Sequence, residues 1–497
     1  MNTPNESDSS TEAEAVPAAL REEPFAGRFG GVDGPTRDRL LQRLAELLPP
    51  AAIVSDPSEL IVYEQDAYLM ARQRPDLVVL PSSTEQVAAV VRLCNELGVP
   101  FLPRGAGTSL AGGCIPVGGG VMITLTRMNR VLEINTRDRY SVVEAGVVNQ
   151  WLAARLEGSG FHYAPDPSSQ SACTIGGNIA CNAGGPHTLK YGVTVNHVLG
   201  IELVLSDGRV VRTGGATEDN PGYDLTGLIV GSEGTFGICT KAILRLTRDP
   251  ESYRTMLCVF DTVASATEAV SQIIGAGMVP LALEMMDRSI IRAVEEAFHF
   301  GLPVEAEAVL IIEVDGLEVE VDAELERMAE LCRRCACRQI RQAADEAERQ
   351  ALWQCRKKAF GALGRLSPSY CTQDVVVPRT RLPEMLRYVG RISDKYRIPI
   401  ANVFHAGDGN LHPILLFNES DMDQVRRVHA ASHEIIDECI RCGGTVTGEH
   451  GIGIEKVEFM PKLYSPEDLS TMIKLREVFN PRGLCSAGKV FPEQNGK

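Results

Sequence analysis

Residues 164–192 read APDPSSQSACTIGGNIACNAGGPHTLKYG. The glycines Gly176, Gly177, Gly184, Gly185 and Gly192 fall within 17 residues, interleaved with Thr174, Asn178 and Asn182 and bracketed by Pro165, Asp166 and Tyr191. Glycine has no Cβ and tolerates backbone conformations that other residues avoid. So many small residues beside short amides describe a backbone pressed against something flat and polar. Two further blocks share this texture. Upstream lies Arg104-Gly105-Ala106-Gly107-Thr108-Ser109-Leu110-Ala111-Gly112-Gly113, and downstream Gly231-Ser232-Glu233-Gly234-Thr235-Phe236-Gly237-Ile238.

The first loop is placed by what precedes it. Residues 77–80 form a short apolar strand, and Ser83 stands three before Gln86 as an N-terminal capping signature. Val87, Val90, Val91, Cys94 and Leu97 then share one helical face, and Gly98 supplies the stop. A second strand over 99–103 runs straight into Arg104, so a β-α-β start is expected with an anion-binding loop at the strand end. The loop is neither a phosphate loop with Gly-Lys-Ser/Thr nor a dinucleotide fingerprint, and alone it also fits an ordinary glycine-rich turn.

Beyond about residue 250 the texture changes to longer units. Strands at 256–260 and 308–314 are each followed by a helix, over 264–274 and 319–333, which predicts an α+β domain with an antiparallel sheet. Residues 402–413 read NVFHAGDGNLHP. On a straight strand the separation of seven would put His405 and His412 on opposite faces, but the Gly-Asp-Gly-Asn turn lets the chain fold back and bring them together. Gly448-Glu449-His450-Gly451 follows a helix about 35 residues later. Two imidazoles and a carboxylate suit a divalent ion, Zn²⁺ or Mn²⁺, and two unrelated loop histidines are the other reading.

Two further patterns resemble metal sites. His429 and His433 stand at i and i+4 on a predicted helix, but no Glu follows the first, and an exposed helix face is expected. Cys332, Cys335 and Cys337 lie where a helix runs into a strand, without an iron–sulfur cluster pattern, and ordinary packing is expected.

The 497 residues carry a formal net charge of −16, which disfavours nucleic acid. No apolar run reaches the roughly 18 residues a membrane helix needs. The N-terminus lacks a basic, apolar leader, and the 14 cysteines sit in apolar contexts, so a cytoplasmic protein with reduced thiols is expected. The domain plan is an acidic disordered tail over 1–30, a helical segment over 31–75 and a ligand-binding domain over 76–248. A substrate and metal domain over 249–450 follows, then a C-terminal segment over 451–497 packing back on the ligand-binding domain.

The three glycine blocks resemble the FAD domain of the vanillyl-alcohol-oxidase/p-cresol-methylhydroxylase superfamily. More narrowly, residues 50–492 resemble the glycolate oxidase flavoprotein and D-lactate dehydrogenase family, most closely over 163–198. The ending Gly488-Lys489-Val490-Phe491-Pro492 and the stretch from Trp353 through Asp374 to Arg379 match in detail. The resemblance implies a two-part FAD domain followed by an α+β substrate domain with a C-terminal helical segment. It implies that the first loop and Gly176-Gly177-Asn178 hold the pyrophosphate, while the third block lies along the flavin. Thr108 stands where some members tether flavin through a histidine, so FAD is expected to be non-covalent; attachment at Cys114 or Cys173 is not expected.

By the same resemblance His405, His412 and Glu449 carry a divalent metal, and His450 lies against the substrate hydroxyl as general base. Arg356 is the candidate clamp for the substrate carboxylate, a solvated helix arginine beside Lys357 and Lys358 being its alternative. The implied reaction is oxidation of glycolate or D-lactate. Related D-2-hydroxyglutarate dehydrogenases carry a lysine where this chain has Thr372, and a non-catalytic FAD electron-transfer subunit is the reading from another class. The family also implies one FAD-domain-like and one iron–sulfur partner subunit, and through them a peripheral place at the inner membrane.

Overall fold

In the computed structural model the described residues are 31–217 and 221–492; the tail expected over 1–30 lies outside them. Asp33 caps the first helix, Gly34–Leu47, by accepting from Thr36 N. The helix lays Leu40 and Leu44 on a core shared with the helix Thr84–Leu97. Ser83 caps that second helix through Gln86 N, and Gly98 ends it in a left-handed conformation at φ 68°. Val87, Val90, Val91 and Cys94 are fully buried on its inner face.

The strands around this helix are Leu77–Val79 and Phe101–Arg104. They are not adjacent. Val121–Thr124 lies between them, parallel to both, and Ile53–Val54 closes the other edge antiparallel. The β-α-β unit therefore skips a sheet position that a later strand fills. The loop after Phe101–Arg104 still leaves from a strand end.

A second sheet of five antiparallel strands runs in the order Val131–Asn135, Tyr140–Glu144, Gly237–Arg245, Val198–Leu205, Val210–Gly214. The helix Ile175–Cys181 packs on its central strand, which carries the second glycine block against the third.

The large antiparallel sheet begins at Gln339–Gln342 and passes through Ser252–Phe260, Ala308–Gly316 and Ala282–Asp287 to Ile400–His405. Its inner strands are apolar on both faces because helices cover both sides, among them Val263–Gly275, Glu318–Arg334 and Arg288–Phe298. This matches the α+β class with an antiparallel second half. After the helix Pro466–Phe479 the chain returns to the first half: Phe101 bridges Cys485, and Lys489 Nζ donates to the carbonyls of Gly112 and Ile115.

Candidate active site

Arg104 to Ser109, Thr174, Gly176, Gly177, Asn178, Glu233, Gly234 and Gly237 all line one cavity of about 580 Å³, within the usual range for a ligand pocket. The glycines are required there. A Cβ on Gly105 would stand 2.3 Å from Thr174 Oγ1, and Gly107, at φ +76°, would put one 2.1 Å from Arg104 Nη2. Three polar atoms on this wall, Arg104 Nη1, Gln65 Nε2 and Asn178 Nδ2, are buried without a hydrogen-bond partner in the protein. Such groups cost free energy unless a ligand satisfies them, so the wall fits a polar cofactor.

Other residues of the three blocks serve as scaffold around the cavity rather than as its lining. Gly112 packs on Ile454, and Pro165 accepts from Asn149 Nδ2. Asp166 pairs with His187 at 3.0 Å, and Gly185 fits closely against Asp166. Asn182 ends the helix Ile175–Cys181 in a left-handed conformation and accepts from Val195 N. The Tyr191 hydroxyl donates to Asp315, and Ile238 is buried in its strand. Gly184 lies by the metal-type cluster, where an added Cβ would sit 3.0 Å from Glu449 Oε2.

The same cavity is also lined by His412, Glu449 and His450. The turn folds back as its sequence requires. His405 pairs with Asn410 across it, and Gly409, at φ +80°, passes so close to Val377 O that a Cβ would lie 2.2 Å away. His405 Nε2 and His412 Nε2 each stand 3.2 Å from Glu449 Oε1. Burial disfavours ionised Glu449, yet the two imidazoles hold its carboxyl well below the usual range. Burial also disfavours a charged His405, but Glu284 and Glu449 raise it well above the usual histidine value. The cluster thus draws in positive charge, a proton on His405 in the metal-free chain, and its donor set fits a divalent ion.

Two carboxylates to which the sequence assigned no role organise this cluster. Glu284, fully buried, accepts from His405 Nδ1 at 2.6 Å with one oxygen and from Arg356 Nε at 2.6 Å with the other. Asp374, also fully buried, accepts through Oδ2 from Thr447 Oγ1 and from the backbone N–H groups of Gly448, Glu449 and His450, at 2.6–3.1 Å. That one oxygen sets the turn presenting Glu449 and His450. His450 stacks on His412 with ring centroids 5.1 Å apart, and burial pushes its imidazole down to about 4.

Arg356 is 2% exposed, which rules out the solvated-helix alternative. Its Nη2 is buried without a protein partner, while the neighbouring Lys357 lines the cavity, as does Phe360. Neither Lys357 nor Phe360 is a residue the sequence singled out as a site. Thr372 is buried, and its hydroxyl has no hydrogen-bond partner.

Residues 75–214 match the FAD binding domain family, and residues 249–490 match the C-terminal domain of the FAD linked oxidases. Over 473 residues the chain is 42% identical to glycolate oxidase subunit GlcD of Escherichia coli strain K12, covering 95% of this chain and 94% of the relative. It belongs to the GlcD-type family of FAD-linked oxidases. A D-lactate dehydrogenase of Anaerostipes hadrus is 31% identical over 91% of this chain and 97% of its own. The chain is thus an FAD-dependent oxidoreductase of a family whose named members act on small hydroxy acids.

Among solved structures, p-cresol methylhydroxylase superposes with a TM-score of 0.79 at 17% identity, covering 93% of this chain and 98% of its own. For 4-ethylphenol oxidase from Gulosibacter chungangensis the TM-score is 0.77 at 20% identity, over 93% and 99%. These likenesses establish the shared fold. No helix among the described residues is long and apolar enough to cross a membrane.

Proposed function

We propose that the chain oxidises a small 2-hydroxy acid with one carboxylate, glycolate or D-lactate, using non-covalently held FAD. The observation that carries this is one shared cavity lined both by the glycine loops and by His412, Glu449 and His450. The names of the relatives, glycolate oxidase subunit and D-lactate dehydrogenase, favour the same substrate class.

Bound FAD supplies the hydride acceptor. His405, His412 and Glu449 would hold a divalent ion, Zn²⁺ or Mn²⁺, which would acidify the substrate hydroxyl. By accepting a hydrogen bond from His405 Nδ1–H, Glu284 fixes the ring so that Nε2 would offer its lone pair to that ion. His450, whose imidazole burial keeps neutral, takes the hydroxyl proton on a ring nitrogen. Arg356, with an unpaired Nη2, and Lys357, on the cavity wall, supply the positive charge for the carboxylate. Thr372 offers a hydroxyl rather than a cation, which disfavours a second carboxylate. The word "subunit" in the GlcD name supports assembly with other chains; one FAD-domain-like and one iron–sulfur partner, with peripheral membrane contact through them, are what the family resemblance implies.

Single-turnover flavin reduction tests the role of His450. His450→Gln should keep FAD and metal yet reduce its flavin roughly 10²–10⁴-fold more slowly. A variant that loses metal, but reacts at near wild-type rate once metal is restored, would make His450 a spacer and place the base elsewhere.

A further inference from the structure

Some 20 residues before His450, the helix Met422–Arg441 carries His429 and His433 one turn apart. They are not the exposed helix pair their spacing suggests. Both are half-buried, with ring centroids 4.2 Å apart, because the turn Val457–Phe459 packs across them. His433 meets the Phe459 ring edge-on and approaches Glu458 Oε1 with its Nε2 at 3.2 Å. One ligand-type atom from each of His429, His433 and Glu458 falls within 4.8 Å of the others.

Ligands about 2.1 Å from a tetrahedral ion stand roughly 3.4 Å apart, so the 3.2 Å approach of His433 to Glu458 is already the edge of such a site. It equals the spacing of His405 and His412 from Glu449. A second observation comes from the inner wall. His429, His433 and Glu458 border a small cavity of about 20 Å³, room for one water-sized occupant, together with Glu455. The Glu455 side chain is only 7% exposed; its Oε2 makes no hydrogen bond and stands 3.8 Å from the buried Lys456 Nζ. Two imidazoles and the Glu458 carboxylate thus border a pocket with room for one small occupant.

We propose that His429, His433 and Glu458 form a second divalent-metal site, its two imidazoles and one carboxylate suited to Zn²⁺. The site is separate in sequence and lining from the cluster at His405, His412 and Glu449, and it stands whether or not that cluster holds a metal. Its outer side is open, through the half-exposed Glu458, so the ion exchanges with solvent. Zinc here fastens the helix Met422–Arg441 to the turn Val457–Phe459, which follows the Gly448–Gly453 stretch of the active site only a few residues on. Its role is to hold that stretch's far end in place rather than to take part in chemistry.

Zinc counting on the FAD-loaded enzyme tests this. The wild type, His412→Ala and His429→Gln/His433→Gln are stripped with chelator, dialysed against micromolar Zn²⁺ and analysed for bound metal. The wild type should hold one more zinc than His429→Gln/His433→Gln, and His412→Ala should keep that zinc. Cobalt gives a spectroscopic check, since a tetrahedral Co²⁺ absorption band should persist in His412→Ala and vanish in the double variant. Glu458→Gln, at an open position that tolerates substitution, should weaken this zinc by roughly tenfold or more even if the double variant fails to fold. Equal zinc in wild type and double variant, or unchanged affinity in Glu458→Gln, overturns the site and leaves a simple His433–Glu458 ion pair. Zinc that survives His412→Ala with none lost by that change would instead count against metal at the active site while upholding this one.

Discussion

Replacing Glu284 by Gln changes no volume but removes the charge on which two buried groups depend. One carboxylate oxygen accepts from His405 Nδ1 and the other from Arg356 Nε, each at 2.6 Å, with side-chain exposures of 0% for Glu284, 6% for His405 and 2% for Arg356. An amide has a single acceptor oxygen. If that oxygen stays with Arg356, the amide NH₂ faces His405 Nδ1, which must then accept. The ring proton is then held on Nε2, and the lone pair that would bind the ion is lost. If the oxygen turns to His405 instead, the amide N–H groups face a buried guanidinium.

The first arrangement should weaken metal binding by about 10–100-fold, the usual cost of losing such a carboxylate behind a histidine ligand. The second leaves an unpaired buried charge, worth about 3–5 kcal/mol of stability. Zinc titration by calorimetry and chemical denaturation, run on wild type and Glu284→Gln in parallel, separates the two. At least one of affinity and denaturation midpoint must drop. If both match the wild type, Glu284 does not orient His405 and the account of this cluster is wrong.

Gly105→Ala should yield a folded but largely flavin-free protein, because the new methyl takes the space beside Thr174 Oγ1; the ratio of flavin to protein absorbance checks this. Acid precipitation of the wild type should leave yellow supernatant, and colour in the pellet would show a covalent bond that Thr108 does not explain. Asp374→Asn should slow flavin reduction more than it lowers FAD content, since its four hydrogen bonds all serve the turn of Glu449 and His450; equal losses would make it merely structural. Burial lowers Lys489 from 10.5 to about 8. Between those values the unfolded chain binds a proton that the folded chain does not, so this group adds stability as pH rises from 8, by up to about 3 kcal/mol. Buried thiols such as Cys371 and Cys439, pushed up to about 12, act oppositely. The readout is therefore the difference in unfolding free energy between wild type and Lys489→Met, which should grow from pH 8 to 10; a flat difference contradicts a depressed Lys489.

What the sequence made legible was local. The glycine blocks announce a ligand-lined cavity because each needs its small residues within a few positions, as Gly105 and Gly107 show. The meeting of His405 and His412 was legible because the Gly-Asp-Gly-Asn turn lies between them. Glu284 was not, being 121 residues from His405 in sequence, although an acid amid Ala, Leu and Met in a buried strand was a signal. Asp374 acts across 73–76 residues, through three backbone N–H groups and the Thr447 hydroxyl, which no spacing pattern reveals. His429 and His433 looked exposed because helical spacing says nothing of the turn at Val457–Phe459 that covers them. Among the glycine-block residues, Asn182, Gly185 and Tyr191 make capping and packing contacts around the cavity, as a tight backbone there needs small and capping residues behind its lining.

The central claim, that the cavity joins FAD to a small one-carboxylate 2-hydroxy acid, is tested most directly by anaerobic flavin bleaching. Glycolate, D-lactate, L-lactate and D-2-hydroxyglutarate are added separately to the oxidised enzyme and the flavin absorbance followed. Glycolate or D-lactate should bleach it within the dead time of manual mixing, with L-lactate and D-2-hydroxyglutarate leaving it yellow. Bleaching by D-2-hydroxyglutarate alone, or by none of the four, would contradict the account.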